Sequence, residues 1–294
     1  MTSKQRTIRN NLVAYSFIAP NFIGFAIFTL GPIVFAFALA FLNWNGSGHI
    51  SFVGLNNFKK LTVDATFKSA LKNTIIYTIG TVPLTMICSF LLAIVLNRNI
   101  RGRNLLRTVS FFPYVASLVA VAVVWNMLFN PAKGPVNMLL TYFGVPEKSL
   151  PGWAADKNWA MITVILFSVW KNMGYYMVIY LAGLQGVNPE LYEAAELDGA
   201  NKWQQFIHVT IPQLSATTFF VSVMLTIDSF KVYDQIYMIT QGGPGTSTLV
   251  LVYDIYNTAF ISWDLGYASA ISMVLFILVL GVTLFQFYMG KKRQ

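Results

Sequence analysis

The sequence predicts an all-α membrane protein with six transmembrane helices. Three observations carry this. Hydrophobic residues make up 56% of the 294 positions and charged residues only 11%, and mean hydropathy is positive, so the chain has more apolar surface than one soluble core of this size needs. Six apolar stretches each reach the roughly 20 residues that a helix needs to cross the hydrocarbon core. The basic residues, with a net charge of +9, lie in short clusters beside those stretches, where they act as topology signals rather than as a nucleic-acid footprint; nucleic acid is not an expected partner.

The first stretch, Leu12 to Leu42, follows Lys4, Arg6 and Arg9. Its apolar run is too long for a signal peptide and lacks a clear small-residue cleavage site, so it reads as a retained anchor. The second, Leu71 to Leu96, holds the single cysteine, Cys88, which can form no internal disulfide and no metal cluster and is a small core residue. The third runs from Leu105 to Phe129, the fourth from Ala160 to Leu184, the fifth from Leu214 to Ile239 and the last from Tyr267 to Met289. The loops Asn43 to Ala70 and Asn130 to Trp159 mix charges with Gly, Pro and Asn. Trp44, Trp153, Trp159 and Trp263 lie near the expected boundaries, as in an interfacial aromatic belt.

Orientation follows from the basic connections. Lys4, Arg6 and Arg9, then Arg98, Arg101, Arg103 and Arg107, then Lys291, Lys292 and Arg293 occur without carboxylates between them, and they alternate correctly for six spans with N and C termini cytoplasmic. The loop Gln185 to Pro212 is then cytosolic as well, yet it carries Glu190, Glu193, Glu196 and Asp198 against Lys202. This local inversion of charge needs a reason.

Within that loop, Asn188 can cap a helix that begins at Pro189, and Glu190 adds negative charge to its first turn. The helix should run to about Leu197. Leu191, Ala194, Ala195 and Asp198 fall on one stripe, whose small side chains allow another backbone to approach. Asp198-Gly199 supplies a turn, and a second short helix, roughly Lys202 to His208, presents Trp203, Phe206 and Ile207 before Pro212. Physics alone leaves two readings open: a docking surface for a soluble partner, or an amphipathic hairpin packed on the bundle's own inner face.

The run LYEAAELDGA, followed by Phe206, Val209, Ile211 and Pro212, resembles the EAA signature of permease subunits of binding-protein-dependent ABC importers. Glu193, Ala194, Ala195, Gly199 and Pro212 match it in type and spacing, and Leu191, Tyr192, Asp198 and Ala200 are similar to its carbohydrate branch. Val209, Ile211 and Asn188 are small departures. AYSFIAPNFIGFAIF, SFVGLNNFKKL, YDQIYMITQGGPGTSTLVLVYDIY and GYASAIS extend the resemblance, to the maltose-type first permease, over nearly the whole chain. The resemblance implies a type I ABC importer permease fold with a cytosolic EAA docking hairpin between helices 4 and 5. It divides the chain into an N-terminal tail, first helix and outer loop (1–70), a permease core (71–289, with the EAA loop at 185–212) and a cytoplasmic tail (290–294). It further implies a second homologous permease subunit, a cytosolic ABC ATPase dimer that binds ATP and Mg, an extracytoplasmic sugar-binding protein, and the plasma membrane of a prokaryote. Glu193, Ala194, Ala195, Asp198 and Gly199 are the expected ATPase-docking residues. No GxxxxGK[ST] loop is present in the chain, and the glycines around Gly242 lack the Lys such a loop requires, so no cofactor is expected here and energy must come from the partner.

Charge within the fifth stretch marks a candidate substrate path. Asp228, Lys231 and Asp234 recur every three residues, so neighbours share a helix face and can pair. A charge near the bilayer centre costs about 2.5 to 3.5 kcal/mol on insertion scales, so such residues face a cavity or each other. One reading is an internal ion pair that fixes helix register. The other is that Asp228, Ser229, Lys231, Tyr233 and Asp234 line a polar cavity for sugar hydroxyls, with carboxylates accepting paired hydrogen bonds and an aromatic face stacking on the sugar. The segment before Gly242 is similar to one that contributes sugar contacts in the maltose permease, and Asn130 with Gly134 resembles a second. Around Asp228 and Ser229 an aromatic and an amide of that pattern are replaced, which argues against maltose itself. Lys171, Asn172 and Tyr175 of the fourth stretch could line the same cavity, and Lys171 could equally be a pairing lysine within the bundle.

Two other functional classes compete with this one. An ion-coupled secondary sugar transporter could use Asp228 and Asp234 as ion sites, but such proteins commonly show internal repeats and none is evident. A membrane enzyme would need a catalytic constellation, whereas the two histidines, His49 and His208, fall on opposite sides of the expected membrane and no metal or thiol site is apparent.

Overall fold

The structure, a computed structural model, describes Ser3 to Lys291. The side chains of Lys4, Arg6 and Arg9 and residues Lys292 and Arg293, used above for topology, lie outside the described residues. Helix α1 (Ser3–Phe25) passes through a π-helical turn, Ala26–Leu30, into α2 (Gly31–Leu39). A two-stranded antiparallel ladder follows, β1 (Leu42–Asn43) and β2 (Ser51–Phe52), with Leu42 opposite Phe52; this small hairpin was not expected in an all-α chain. Next come α3 (Asn56–Val63), α4 (Ala65–Asn97), α5 (Arg103–Val115), α6 (Leu118–Leu128) and α7 (Pro135–Tyr142). The chain continues through α8 (Ala160–Gln185), α9 (Pro189–Leu197), α10 (Lys202–Gln205), α11 (Ile211–Gln213), α12 (Ser215–Phe230), α13 (Asp234–Ile239), α14 (Leu251–Tyr256) and α15 (Leu265–Lys291).

Among the described residues, four helices are long and apolar enough to cross a membrane: Asn10–Leu39, Ala65–Asn97, Ala160–Gln185 and Leu265–Lys291. Two further candidates are bent pairs. Arg103–Val115 and Leu118–Leu128 meet at 100°, and Lys202–Gln213 and Ser215–Phe230 at 59°. The stretch Leu105 to Phe129, read above as one span, is therefore bent within itself, and Leu214 to Ile239 is interrupted between α12 and α13. In the third, Ala116 is extended and Ser117, at φ −52 and ψ 122, is not helical either. In the fifth, the bend falls at Leu214, two residues beyond Pro212, and regular helix stops at Phe230. Residues 231 to 233 leave the helix and Asp234 opens α13, so Asp228, Lys231 and Asp234 do not share one helical face.

The chain forms two compact units, Met1–Val63 with Ile255–Val274, and Asp64–Asp254 with Leu275–Gln294. In the first, nearly all of the Asn10–Leu39 span is exposed. Asn57 Nδ2 donates to the carbonyls of Ala40 and Leu42 at 2.9 and 3.0 Å, tying α3 to the start of the hairpin. Gly266 lies so close to the Leu42 carbonyl that a Cβ would sit 2.1 Å from its oxygen. Lys60 pairs with Asp264 at 3.1 Å, with Nζ 3.9 Å from the Tyr267 ring centroid.

The second unit is built on α4 packed against α8. Asp64 caps α4 by accepting from the amides of Thr66 and Phe67. The core gathers Val82, Ala93 and Leu96 from α4, Tyr176, Met177, Tyr180 and Leu184 from α8, and Leu214, Val221 and Leu225. Tyr77 donates its hydroxyl to Ser168 across the α4–α8 contact at 2.8 Å, which satisfies a buried polar group without a charge. The loop after α13 is laced to the N-terminal part of α4: Asn73 Nδ2 donates to the carbonyls of Thr246 and Leu249, and the Leu251 amide donates to Thr74 Oγ1. Trp153, expected at the membrane boundary, is instead buried, its indole N–H donating to Asn137 Oδ1 at 2.7 Å. Asn137 Nδ2 in turn donates to the carbonyls of Pro131 and Pro151, so the segment between α6 and α8 has a polar hub of its own.

Candidate functional site

The residues singled out in the sequence fall on the hairpin between α8 and α12, on the wall formed by α5, α8 and α12, and on the segments that follow α12 and α6. Asn188 caps α9, its side chain accepting from the Glu190 amide at 3.1 Å, with Pro189 in the first turn. At the other end the Gly199 amide donates to Glu196 and the Ala200 amide to Ala195, the two bonds of a Schellman stop. Gly199 sits at φ +79, which a side chain disfavours. The second helix starts with a reciprocal capping box that the sequence reading missed: Asn201 Oδ1 accepts from Trp203 and Gln204, while the Asn201 amide donates to Gln204 Oε1. Asn-x-x-Gln was its signal. The second helix also runs on past His208, through a π-helical turn at Phe206–Thr210 into α11.

This hairpin is held from beneath and open above. Tyr192 and Thr210 hydroxyls bond at 2.9 Å, and Phe206 stacks on Phe90 of α4 with centroids 6.0 Å apart. No residue of α9 is buried. Glu193, Ala194, Asp198 and Gly199 are exposed and Ala195 is half-buried, and Leu197 is 91% exposed. Lys202 approaches Glu196 only to 3.9 Å, both largely solvated, so the hairpin's remaining carboxylates face solvent. Ala195, Asp198, Gly199, Gln204 and His208 line a shallow groove beside the turn.

The second region is arranged differently from expectation. Asp228 is exposed and accepts a hydrogen bond from the Tyr176 hydroxyl at 2.9 Å. Among the described residues the ion pairs are Lys60–Asp264 and Lys202–Glu196, so neither Asp228 nor Asp234 pairs with Lys231. Lys231 caps α12, Asp234 begins α13, and both are exposed. Ser229, expected on the cavity, is buried and bonds inward, to the Thr226 carbonyl and Thr78 Oγ1: one helical step of about 100° separates it from Asp228. Tyr233 stacks on Tyr237 at 5.6 Å and lies 5.7 Å from the Tyr253 ring.

Asn130 is exposed, and its Oδ1 is engaged by the amides of Ala132 and Lys133. Gly134 is buried in that turn, where a Cβ would lie 2.5 Å from the Asn130 carbonyl oxygen. Asn126 Nδ2 donates to the Met238 carbonyl at 3.3 Å, which joins α6 to α13. Tyr176 was not anticipated. Lys171, read above as either a cavity-lining or a pairing lysine, has no acidic partner among the described residues and donates to carbonyls.

Asp254 of α14 is 5% exposed, and its Oδ2 accepts no hydrogen bond. Burial, and secondarily the charge of Asp64, pushes its carboxyl up to about 6. Among the described residues no three His, Cys, Asp or Glu side chains gather to hold a metal.

Residues 85–293 match the family described as the binding-protein-dependent transport system inner membrane component. The chain is 34% identical to the lactose transport system permease protein LacF of Rhizobium radiobacter, covering 95% of this chain and 94% of that one. It is also 34% identical to the sn-glycerol-3-phosphate transport system permease protein UgpA of Agrobacterium fabrum, over 97% and 96% of the two chains. A bacterial ABC transporter involved in import of the acidic polysaccharide alginate has a chain of the same fold, with TM-score 0.86, 24% identity and 99% of both chains covered. This chain, mostly helical and with the type I importer permease fold, belongs to the inner-membrane components of binding-protein-dependent ABC transport systems and is a transport subunit rather than an enzyme.

Proposed function

We propose that the chain is one of two related permease subunits of an importer that moves a mono- or oligosaccharide inward. An extracytoplasmic binding protein delivers the sugar, and a cytosolic ATPase dimer, which holds ATP and Mg, drives the cycle. The observation that carries this reading is the hairpin: a capped acidic helix, followed by a glycine stop, none of whose residues is buried by the described part of the chain. The names of relatives such as LacF support the sugar.

In this reading each bent pair is one span, giving six spans with both termini cytosolic in a prokaryotic plasma membrane. Residues 1–70 form the tail, first helix and outer loop, 71–289 the core, and 290–294 the cytoplasmic tail. Glu193 contacts the ATPase, Ala194 and Ala195 allow close approach, Asp198 flanks the contact, and Gly199 keeps the helix rigidly presented. Closure of the ATPase pair moves this helix and shifts the bundle from inward- to outward-facing, a rigid-body switch biased by a ligand that binds one state better. Asp228, Lys231, Tyr233 and Asp234 line the path, with Asn130 and Gly134 shaping its second segment. Ser229 supports the wall from behind.

Gly199→Pro tests the coupling. Proline holds φ near −65°, against +79 here, and removes the amide that donates to Glu196. The expected outcome is a chain that still inserts but loses ATPase copurification and uptake. Uptake is measured with lactose, maltotriose and sn-glycerol 3-phosphate. Uptake that survives both the variant and removal of the ATPase refutes the reading and favours an ion-coupled carrier working through Asp228 and Asp234.

A further inference from the structure

The bend between α5 and α6 leaves a particular set of polar groups without helical partners inside an apolar stretch. Carbonyls at the end of a helix have no intrahelical donor, and in hydrocarbon each unsatisfied one costs several kcal/mol. Because Ala116 and Ser117 both leave the helical conformation, the last turn of α5 ends in such carbonyls. Lys171, on α8, supplies the donors. It is only 7% exposed, and its Nζ lies 2.9 Å from the Pro113 oxygen, 3.1 Å from that of Ala116 and 3.4 Å from that of Tyr114. An ammonium has three protons and no acceptor, so its capacity matches these contacts. A cation at a helix C-terminus is also favoured by the helix dipole.

The same corner leads to Asp228. The Tyr114 ring stacks on Tyr175 with centroids 4.5 Å apart and an interplanar angle of 14°. Tyr175 meets Tyr176 edge-on at 5.0 Å, and the Tyr176 hydroxyl holds the Asp228 carboxylate. Gly174 fixes the spacing of the two helices, since a Cβ there would fall 1.9 Å from the Ser110 oxygen.

We propose that Lys171 is a positioning residue for translocation: its ammonium pins the α5–α6 corner through three carbonyl oxygens, and the corner's Tyr114, through Tyr175 and Tyr176, sets the Asp228 carboxylate. The consequence for transport rests on the reading that Asp228 lines the sugar path. The pin itself does not.

The test is hydrogen exchange on the whole complex in lipid nanodiscs, wild type against Lys171→Met and Lys171→Arg. Met keeps the length and apolar stem but has no donor, whereas Arg can still donate to several carbonyls. The expected result in the Met variant is at least about tenfold faster exchange of amides 116–121 and a smaller rise at 229–232, with α4 unchanged and Arg within about threefold of wild type, tenfold being about 1.4 kcal/mol of opening free energy. Unchanged exchange at 116–121 overturns the pin. A rise at 116–121 with none at 229–232 overturns the link to Asp228. If every span exchanges faster in the Met variant, the Arg variant decides: protection retained at both segments supports the proposal, and protection lost overturns it. Uptake of the same three solutes by Asp228→Asn tests the path separately, so failure of one reading is distinguishable from failure of the other.

Discussion

Adding one methyl group at Gly174 is the sharpest available probe of how α5 and α8 meet. In Gly174→Ala the new Cβ would lie 1.9 Å from the Ser110 oxygen, 2.6 Å from its carbonyl carbon and 2.9 Å from the Phe111 Cα. A relaxed C···O contact is about 3.3–3.6 Å, so the helices must part by roughly 1.5 Å, and the obstructing atoms are backbone that no rotamer change can move. Overpacking of a close-fitting site costs about 1–3 kcal/mol, occasionally more, and here the upper end applies because the Lys171 contacts one turn earlier are pulled apart as well. Gly281 supplies the control: it too is inside a helix, and an added Cβ meets nothing within 4 Å, so Gly281→Ala should be neutral or slightly stabilising. Thermal midpoints in one detergent, read by size-exclusion recovery, compare the two variants. A Gly174→Ala protein that melts with wild type and with Gly281→Ala would refute the close approach and the corner geometry built on it.

Further expectations are narrower. Tyr176→Phe removes the hydroxyl that holds Asp228; because the carboxylate can turn to water, the loss is about 0.5–1.5 kcal/mol, seen as a few-fold higher KM for sugar uptake at unchanged surface level, and an unchanged KM counts against Asp228 as a path residue. Asp254 is an acid whose carboxyl is raised by burial from 3.8 to about 6, so the folded chain holds more protons than the unfolded one across that interval. Stability then declines as pH rises from about 4 to about 6 and levels off above it; Asp254→Asn should flatten a melting-temperature profile across that window, and an unaltered slope would exclude Asp254 as its source. Asp264→Asn should shift stability by less than about 1 kcal/mol, since both partners of its ion pair are partly solvated; a larger drop in melting temperature would show a desolvated contact.

What was legible in the sequence divides along the line between local and distant causes. The first helix of the α8–α12 hairpin was readable because its determinants are neighbours: Asn188 and Pro189 at the start, Asp198 and Gly199 at the stop. The capping box at Asn201 and Gln204 was equally local, and was overlooked rather than hidden. The corner in the third span was not readable. Leu105 to Phe129 is apolar enough to read as one span, Pro113 lies inside α5 rather than at the bend, and the group that satisfies the broken backbone is Lys171, some fifty residues later. Likewise, periodicity puts Asp228 and Ser229 on different faces but cannot say which face meets α4; Thr78 does that by accepting the Ser229 hydroxyl. The placement of Trp153 had the same origin: a tryptophan near a boundary fits the interface on composition, and only Asn137 shows why this one is inside.

The lacing of residues 246–251 to α4 has a practical reading for anyone modifying this chain. Three successive attachment points, Thr246, Leu249 and Leu251, give their peptide groups to Asn73 and Thr74, so any inserted residue there would slide two of them out of register with the third. The turn between β1 and β2 is of the opposite kind: Asn45 to Ile50 are exposed, and a side chain on Gly48 would have nothing within 4 Å. An epitope or fluorophore acceptor peptide belongs after Gly48, where the chain can bulge into solvent, and not near Thr248, however similar the two loops look by hydropathy.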